Sequence, residues 1–557
     1  MNENIMNKFM IIKKIPEVNT ETIPNDSIKT IDNNNNNIEL LKPKMEKDIN
    51  PSPEGADLNL FRFELSKEQQ YAYYKFMNGE NLFITGPGGT GKTRLIKKLV
   101  EYAKQNEKNI SVCAMTGCAA ILLNCNARTL HSWSGIKLAK GTKQSIINSV
   151  LKNKRIVKLW KKVEILILDE VSMLSKKVFE IIEEIARFTR LSSSPFGGIQ
   201  VVFTGDFYQL PPVGSDGEPE TEQFCFESAR WNDVFTQKNH IQLETIFRQT
   251  DMTYIEILKQ IREGTIQQKN VELLRTFINR EYNAEKHNGC IPTKLFPIRS
   301  KVDYVNNMMF SKLTEPEHVL NAIYMTNFTT YVESEKYLSI ETIQQCSRLS
   351  VLEKEQELDL LMNSIPCNKV LRIKKGAIVM CTINLDMYNS ICNGSQGVVI
   401  DIIEGESMYK QIVVRFSNGI IKKIQPNFWQ CEDFPTLGIG QYPLCLAWAL
   451  TIHKIQGATL SMAEIDIGQS IFEYGQTYVA LSRIQSLDGL YLSAFNPTKI
   501  KTNPKVTEFY KNIPKFELSE LEKLETSKSL SIVDSNEQSP KELQQESYEE
   551  NIKKIIF

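Results

Sequence analysis

The chain has 557 residues, and its 66 Lys+Arg are balanced by 66 Asp+Glu, so the formal net charge is zero. That length is too great for one compact core and implies several domains. The charge balance excludes a uniformly basic nucleic-acid coat protein but leaves room for a local basic groove. No apolar run is long enough to suggest a membrane span. The N-terminal MNENIMNKFMIIKK lacks the apolar core of a secretory signal, so neither feature is expected. The 11 cysteines lie between Cys113 and Cys445 with no C-x-x-C pair and no histidine cluster beside them. Free thiols in a reducing compartment are therefore expected, rather than zinc or a disulfide framework.

Residues 1–60 are rich in Asn, Lys, Glu and Pro, including the run Asn33 to Asn37, and are expected to be a disordered extension. From about Phe61 short apolar runs alternate with amphipathic stretches. Asn81–Thr85 (NLFIT), Val163–Leu168 (VEILIL) and Ile199–Thr204 (IQVVFT) are near-continuous apolar strands that end in polar or Gly-rich chemistry, as buried parallel strands do when ligands bind at their carboxyl ends.

The first of these runs into GPGGTGKT, residues 86–93, and then into a helical pattern. This is a full phosphate-binding loop in its required strand-to-helix context. Backbone N–H groups of Gly86, Gly88, Gly89, Thr90 and Gly91 surround the phosphates, and Pro87, which has no N–H, completes the loop. Lys92 reaches the β and γ oxygens, and the Thr93 hydroxyl is offered to Mg²⁺. At the end of the second run, Asp169 suits a metal-ligand role and Glu170 a water-activating one. The third ends in Gly205-Asp206, followed by Gln209, whose amide can sense a γ-phosphate. Residues 137–162 carry nine Lys/Arg and no Asp or Glu, which favours contact with a phosphate backbone.

A second α/β region is expected over about 250–322, resuming near 445. Between its parts, Lys375–Phe416 has β-type runs with turn signals at Asn393-Gly394 and Asn418-Gly419, which predict a small β-barrel-like insertion. The structured pattern persists to about Tyr510. Residues 501–557, polar and Ser/Glu-rich beyond Phe516, are expected to form a flexible C-terminal extension.

In order along the chain stand LSKEQ (65–69), GPGGTGKT, AMTGCAA (114–120), TLHSW (129–133), LILDEVSML (166–174), PFGGIQVVFTGDFYQLPPV (195–213), LETIFRQ (243–249), LAWALTIHKIQGATL (446–460) and GQTYVALSR (475–483). This series resembles the PIF-type DNA helicases of the RecD-like branch of superfamily one, over about residues 61–500. The resemblance implies an α/β fold with two RecA-like P-loop motor domains built on parallel sheets. The first would cover 61–245, with a small wedge subdomain at about 134–162. The second would cover 246–500, interrupted by a 322–444 insertion containing an SH3-like β domain.

The resemblance also implies roles for individual residues. Gln69 would read adenine, Thr93 and Asp169 hold Mg²⁺, and Glu170 act as catalytic base. Gln209 would couple nucleotide state to movement, while Arg248 and Arg483 approach the γ-phosphate from the second domain. Thr116, Gly117, Thr129 and His131 would lie on the first domain's side of a single-strand track, and His453, Lys454, Gln456 and Thr459 on the second's. A structural role for His131 stays open.

The activity so implied is an ATP-dependent, 5′→3′ DNA helicase that uses Mg²⁺ and acts on single-stranded, tailed or forked duplex DNA as a monomer, in replication, repair or recombination. A RecD-type subunit of a recombination complex and an RNA-directed motor remain alternatives. The compartment is open: an intracellular protein is expected, the nucleus being favoured over the mitochondrion for a eukaryotic source, with a viral origin also open.

Overall fold

The computed structural model describes residues 65–524, apart from 283–290, 327–343 and short breaks at Asn124, Leu138, Gln345, Met387, 405–407 and 432–433. The extension expected over 1–60 lies outside the described residues.

Helix α1 (Lys67–Met77) opens with a reciprocal capping box, in which Ser66 and Gln69 satisfy each other's backbone N–H. Strand β1 (Leu82–Thr85) follows, and then α2 (Lys92–Gln105), whose Leu95, Ile96, Leu99, Val100 and Ala103 fall on one buried face. Around β1 lie β2 (Ile110–Ala114), β3 (Arg128–Thr129), β4 (Ile165–Asp169), β5 (Gln200–Gly205) and β6 (His240–Gln242). They form one six-stranded sheet in the order β3-β2-β4-β5-β1-β6. Every pairing in it is parallel. Such a sheet needs cover on both faces, which is why β4 is buried along its whole length. Register sets Thr85 opposite Gly205 and Ala114 opposite Asp169, so the carboxyl ends of four neighbouring strands lie level.

Helices α3 (Lys143–Lys152) and α4 (Lys154–Lys162) occupy the basic stretch and pack on α5 (Lys176–Arg190). Trp160 of α4 is fully buried against Trp133, ring centroids 4.5 Å apart, and its indole donates to Ser134 O. Lys143 is taken up by Glu180 and Glu220. Lys137, Lys140, Lys152, Lys154, Lys158, Lys161 and Lys162 face solvent.

The second sheet consists of β7 (Thr293–Phe296), β8 (Ala449–Thr451), β9 (Ala463–Ile467) and β10 (Leu490–Phe495), in the order β8-β7-β9-β10 and again parallel. Strands 378–381, 396–403, 411–416, 421–424 and 444–446 form a five-stranded antiparallel sheet between β7 and β8 in sequence. It shares one continuous apolar core with the second motor sheet, Val399, Ile412 and Val414 joining Leu295, Ile465 and Leu492. The insertion also holds a unit that the sequence did not suggest. Its three strands (323–325, 427–430 and 438–441) and the helix Val351–Ser364 have a small core of their own around Leu358, Met362, Phe434 and Ile439.

One expectation is corrected. Residues 501–524, assigned to a flexible extension, fold back on the first motor domain. Pro504–Lys511 is a helix capped by Asn503, and Val506, Phe509, Tyr510, Ile513, Phe516, Leu521 and Leu524 join the two cores that flank the six-stranded sheet. Residues 525–557 lie outside the described residues.

Candidate functional site

The loop after β1 leads into the N-terminus of α2, where free N–H groups and the helix dipole favour an anion. Gly91 caps α2 at φ 77°. Gly89 has φ 94°, and a Cβ there would stand 2.7 Å from the Cβ of Arg248, so the loop tolerates only glycine where the second domain presses on it. Lys92 Nζ donates to Gly86 O at 2.6 Å and to Pro87 O at 3.0 Å. Burial lowers the affinity of Lys92 for its proton, and Asp206, Glu170 and Asp169 oppose that effect.

Asp169 ends β4, receives hydrogen bonds from the Thr204 hydroxyl and from Glu170 N, and is pushed upward in pKa by burial. Glu170 adopts φ 59°, ψ 42°, a left-handed conformation that costs a non-glycine residue energy and marks a position held for a purpose. Burial first, and then the charge of Asp169, raise its pKa, while Lys92, Arg483 and a hydrogen bond from Gln456 work the other way.

The second domain supplies cations. A Cβ on Gly88 would lie 3.5 Å from Arg483 Nη2 and 3.6 Å from Arg248 Nη1, so both guanidinium groups meet the same turn of the loop. Ser482 orients them: its carbonyl accepts from Arg248 at 3.0 Å and its hydroxyl from Arg483 at 2.8 Å. Burial depresses both pKa values, and the charge of Arg483 depresses that of Arg248 further, so an anion in this cleft would relieve a standing electrostatic cost. Gln209 Oε1, Gln249 Oε1, Gln476 Nε2 and Thr477 Oγ1 are buried without a partner, a concentration of unsatisfied polar atoms at the domain junction that suits a polar ligand.

The structure thus brings Lys92, Asp169, Glu170, Arg248 and Arg483 together, with Gln209 buried beside them. Thr93, at the start of α2, is partly buried. Gln69, which the resemblance assigns to reading adenine, sits beside the phosphate loop. It is fully buried, and its amide donates to Thr90 O at 3.0 Å while its oxygen accepts from Ser66 N, so it braces the phosphate loop. Beside it the ring of Phe247, 48 % exposed, lies 3.5 Å from the position a Cβ on Gly91 would take, and offers a flat apolar face next to the loop.

Three further residues of the site were given no role in the sequence. The Tyr478 hydroxyl accepts from Gly88 N at 2.8 Å, which places a second-domain side chain on a phosphate-loop amide. Asp206 and Arg262 form a buried, forked ion pair between the domains, with Arg262 Nε 3.0 Å from Oδ2 and Nη2 2.9 Å from Oδ1. Tyr478 lies within GQTYVALSR and could have been noticed there. Arg262 sits in an ordinary amphipathic helix and carries no local signal.

On the proposed track, the Thr116 and Thr129 hydroxyls cap short helices by accepting from Ala119 N and Ser132 N. His131 is partly buried, and burial lowers its pKa. Gly117 and Thr129 line a cavity of about 200 Å³, closed on its other side by Glu357, Trp429 and Gln430 of the insertion. Opposite, His453 is exposed and stacks on the exposed ring of Phe472 at 6.5 Å, with an interplanar angle of 21°. Lys454 and Thr459 are partly buried. A Cβ on Gly457 would stand 3.0 Å from Leu122, so the two sets of residues face each other across the junction. Gln456 departs from its expected place. It is 6 % exposed and donates to Glu170, in the catalytic cleft rather than on an open track.

A model of the PIF1-like helicase family matches residues 64–272, and one of the DNA helicase Pif1 2B domain matches 358–402. The ATP-dependent DNA helicase PIF1 of Danio rerio is 33 % identical over 454 residues, covering 81 % of this chain and 64 % of the relative, so this chain spans just under two thirds of that protein. The ATP-dependent DNA helicase Pif1 of Bdellovibrio bacteriovorus is 33 % identical over 452 residues, covering 80 % of this chain and 92 % of the relative. Among solved structures, the Pif1 helicase from Candida albicans aligns with a TM-score of 0.62 at 31 % identity, over 81 % of this chain and all of that one. The Bacteroides Pif1 helicase in complex with ADP-AlF3 and ssDNA aligns with a TM-score of 0.53 at 28 % identity, over 81 % of this chain and 97 % of that one.

Proposed function

We propose, from the premise that this chain belongs to the PIF1-like helicase family, that it moves 5′→3′ along single-stranded DNA and separates duplex ahead of it. It is an ATP-dependent DNA helicase. Its direction of travel, its use of Mg²⁺, its preference for tailed or forked duplexes, its action as a monomer and its place in replication, repair or recombination are our reading. The observation that carries it is the meeting of Arg248 and Arg483 from the second domain with Lys92, Asp169 and Glu170 from the first.

In this reading the phosphates of ATP lie on the amides of residues 86–91 and on Lys92. Glu170 takes the proton of the attacking water, and its raised pKa makes it a better base than an exposed carboxylate. The two guanidinium groups stabilise charge on the γ-phosphoryl oxygens as it transfers. The Thr93 hydroxyl and Asp169 carboxylate are hard oxygen donors that would hold Mg²⁺ together with the phosphates, and Mg²⁺ would neutralise charge on the β and γ oxygens. Loss of the γ-phosphate removes what draws Arg248 and Arg483 toward the loop, and the domains part. Gly457 faces Leu122 across the same junction, so each cycle of closing and opening shifts the two sides of the track against each other. The exposed lysines of α3 and α4 suit the phosphate backbone near the point of strand separation.

The test is an unwinding assay on duplexes with a 5′ tail or a 3′ tail, in DNA and in RNA. Unwinding that depends on a 5′ DNA tail is expected. Equal unwinding of 3′-tailed duplexes overturns the polarity, and preference for RNA tails favours the RNA-directed alternative.

A further inference from the structure

We propose that Tyr510, in the C-terminal helix Pro504–Lys511, is a positioning residue of the ATPase, locking the root of the phosphate loop to the junction of the motor domains. This rests on the hydrolytic reading above and goes beyond it by bringing in a segment outside every motor motif.

The chain leaves the second domain at β10, crosses back, and lays this helix on the first. The Tyr510 hydroxyl there meets three groups. It donates to Asp206 Oδ1 at 3.2 Å and accepts from Phe207 N at 3.1 Å. Its one proton being used on the carboxylate, it accepts the hydroxyl of Thr85 at 2.5 Å.

Each partner is placed to matter. Thr85 is the last residue of β1 and precedes Gly86 of the phosphate loop. Asp206 and Phe207 follow β5 and lead to Gln209. Asp206 is the carboxylate that holds Arg262 of the second domain. The Tyr510 ring stacks on Tyr208 at 4.7 Å, and the Arg262 guanidinium lies 4.3 Å from the Tyr208 ring centre and 5.1 Å from that of Tyr510. One phenol therefore touches the strand that carries the phosphate loop, the strand that carries Gln209 and, through Asp206, the opposite motor domain. Removing its oxygen leaves Thr85, which is fully buried, and the Phe207 amide each short of a partner, and Asp206 short of a donor. The two strand ends can then shift relative to each other, and small displacements of a catalytic group cost rate more than binding.

The experiment uses the full chain and compares Tyr510→Phe, which keeps the ring and loses only the oxygen, with Phe509→Leu, which trims ring packing on Phe207 and Tyr510 in the same helix but leaves every hydrogen bond of the Tyr510 hydroxyl in place. Steady-state ATP hydrolysis is measured with and without oligo-dT, beside thermal denaturation. Tyr510→Phe is expected to lower kcat of DNA-stimulated hydrolysis by roughly tenfold with KM for ATP little changed, whereas Phe509→Leu lowers the melting temperature and keeps kcat. The proposal is overturned by wild-type kcat in Tyr510→Phe, by a loss confined to KM, or by an equal loss of kcat in Phe509→Leu at equal loss of stability. Absence of DNA-stimulated hydrolysis in the wild-type chain would instead overturn the parent reading and this one with it.

Discussion

Across the cleft between the motor domains, the side-chain amide of Gln456 donates to the Glu170 carboxylate at 3.2 Å. Gln456 belongs to the loop IHKIQG, which also carries His453 and Lys454, so one short segment connects the face of the proposed DNA track to the carboxylate proposed to activate water. A hydrogen bond to the charged form of a buried acid stabilises that form. Tilting this loop when DNA engages His453 would change the basicity of Glu170 directly.

Gln456→Ala removes that donor, and the Glu170 pKa, already raised by burial and by Asp169, rises further. Hydrolysis needs the ionised base, so the acid limb of the kcat profile moves to higher pH in the variant. A profile that superimposes on the wild-type limb would show that the contact does not govern the base.

Glu170→Gln separates stability from activity. The folded pKa of Glu170 lies above its unfolded value, so the folded state holds more protons in the window between the two, and stability falls as pH rises through it. A neutral amide escapes that loss. The variant is expected to melt above wild type at neutral pH, with the difference fading in acid, while hydrolysis is abolished. Denaturation scans across pH measure the first part and phosphate release the second.

Arg483→Ala and Arg248→Ala should each lower kcat by about 10³-fold, the scale of arginine groups that stabilise phosphoryl transfer. Lys92→Ala should abolish hydrolysis and leave binding of single-stranded DNA largely intact, because Lys92 donates its hydrogen bonds to Gly86 and Pro87 of the phosphate loop. Fluorescence anisotropy with a labelled oligonucleotide, beside turnover, distinguishes the two functions.

Arg262→Met leaves Asp206, which is fully buried, without its counter-charge. Breaking a buried pair by removing one partner costs about 3–5 kcal/mol. Equilibrium denaturation should show a loss of that size, and a change under about 1 kcal/mol would mean that Tyr510 and Tyr208 compensate.

Much of the motor was legible before folding, because its chemistry is local. The phosphate loop, Asp169-Glu170 and the apolar strands β1, β4 and β5 each lie within a few consecutive residues, where glycine, charge and hydrophobic runs have direct physical meaning. The C-terminal helix was legible in part and overlooked. Asn503-Pro504 is a cap followed by proline at the first helical position, and Val506, Phe509, Tyr510 and Ile513 recur at helical spacing. The polar composition further along carries the opposite signal. The three-stranded unit with the helix Val351–Ser364 had no such signal, since its strand 323–325 comes from about a hundred residues before the hairpin 427–441 that it pairs with.

What the sequence by itself determined is the class of machine: a phosphate loop, paired carboxylates and two arginines, each set in a short segment with the strand or helix its chemistry needs. Only the tertiary structure decided which partner each group has. Gln69 braces the loop, Gln456 addresses Glu170 from 286 residues away, Arg262 meets Asp206, and Tyr510 reaches Asp206 from 304 residues away. Composition and spacing describe what a side chain can do over a few turns of chain. Whether a buried amide, guanidinium or phenol finds an acceptor depends on how two sheets and the segment between them close together, and no local pattern encodes that distance.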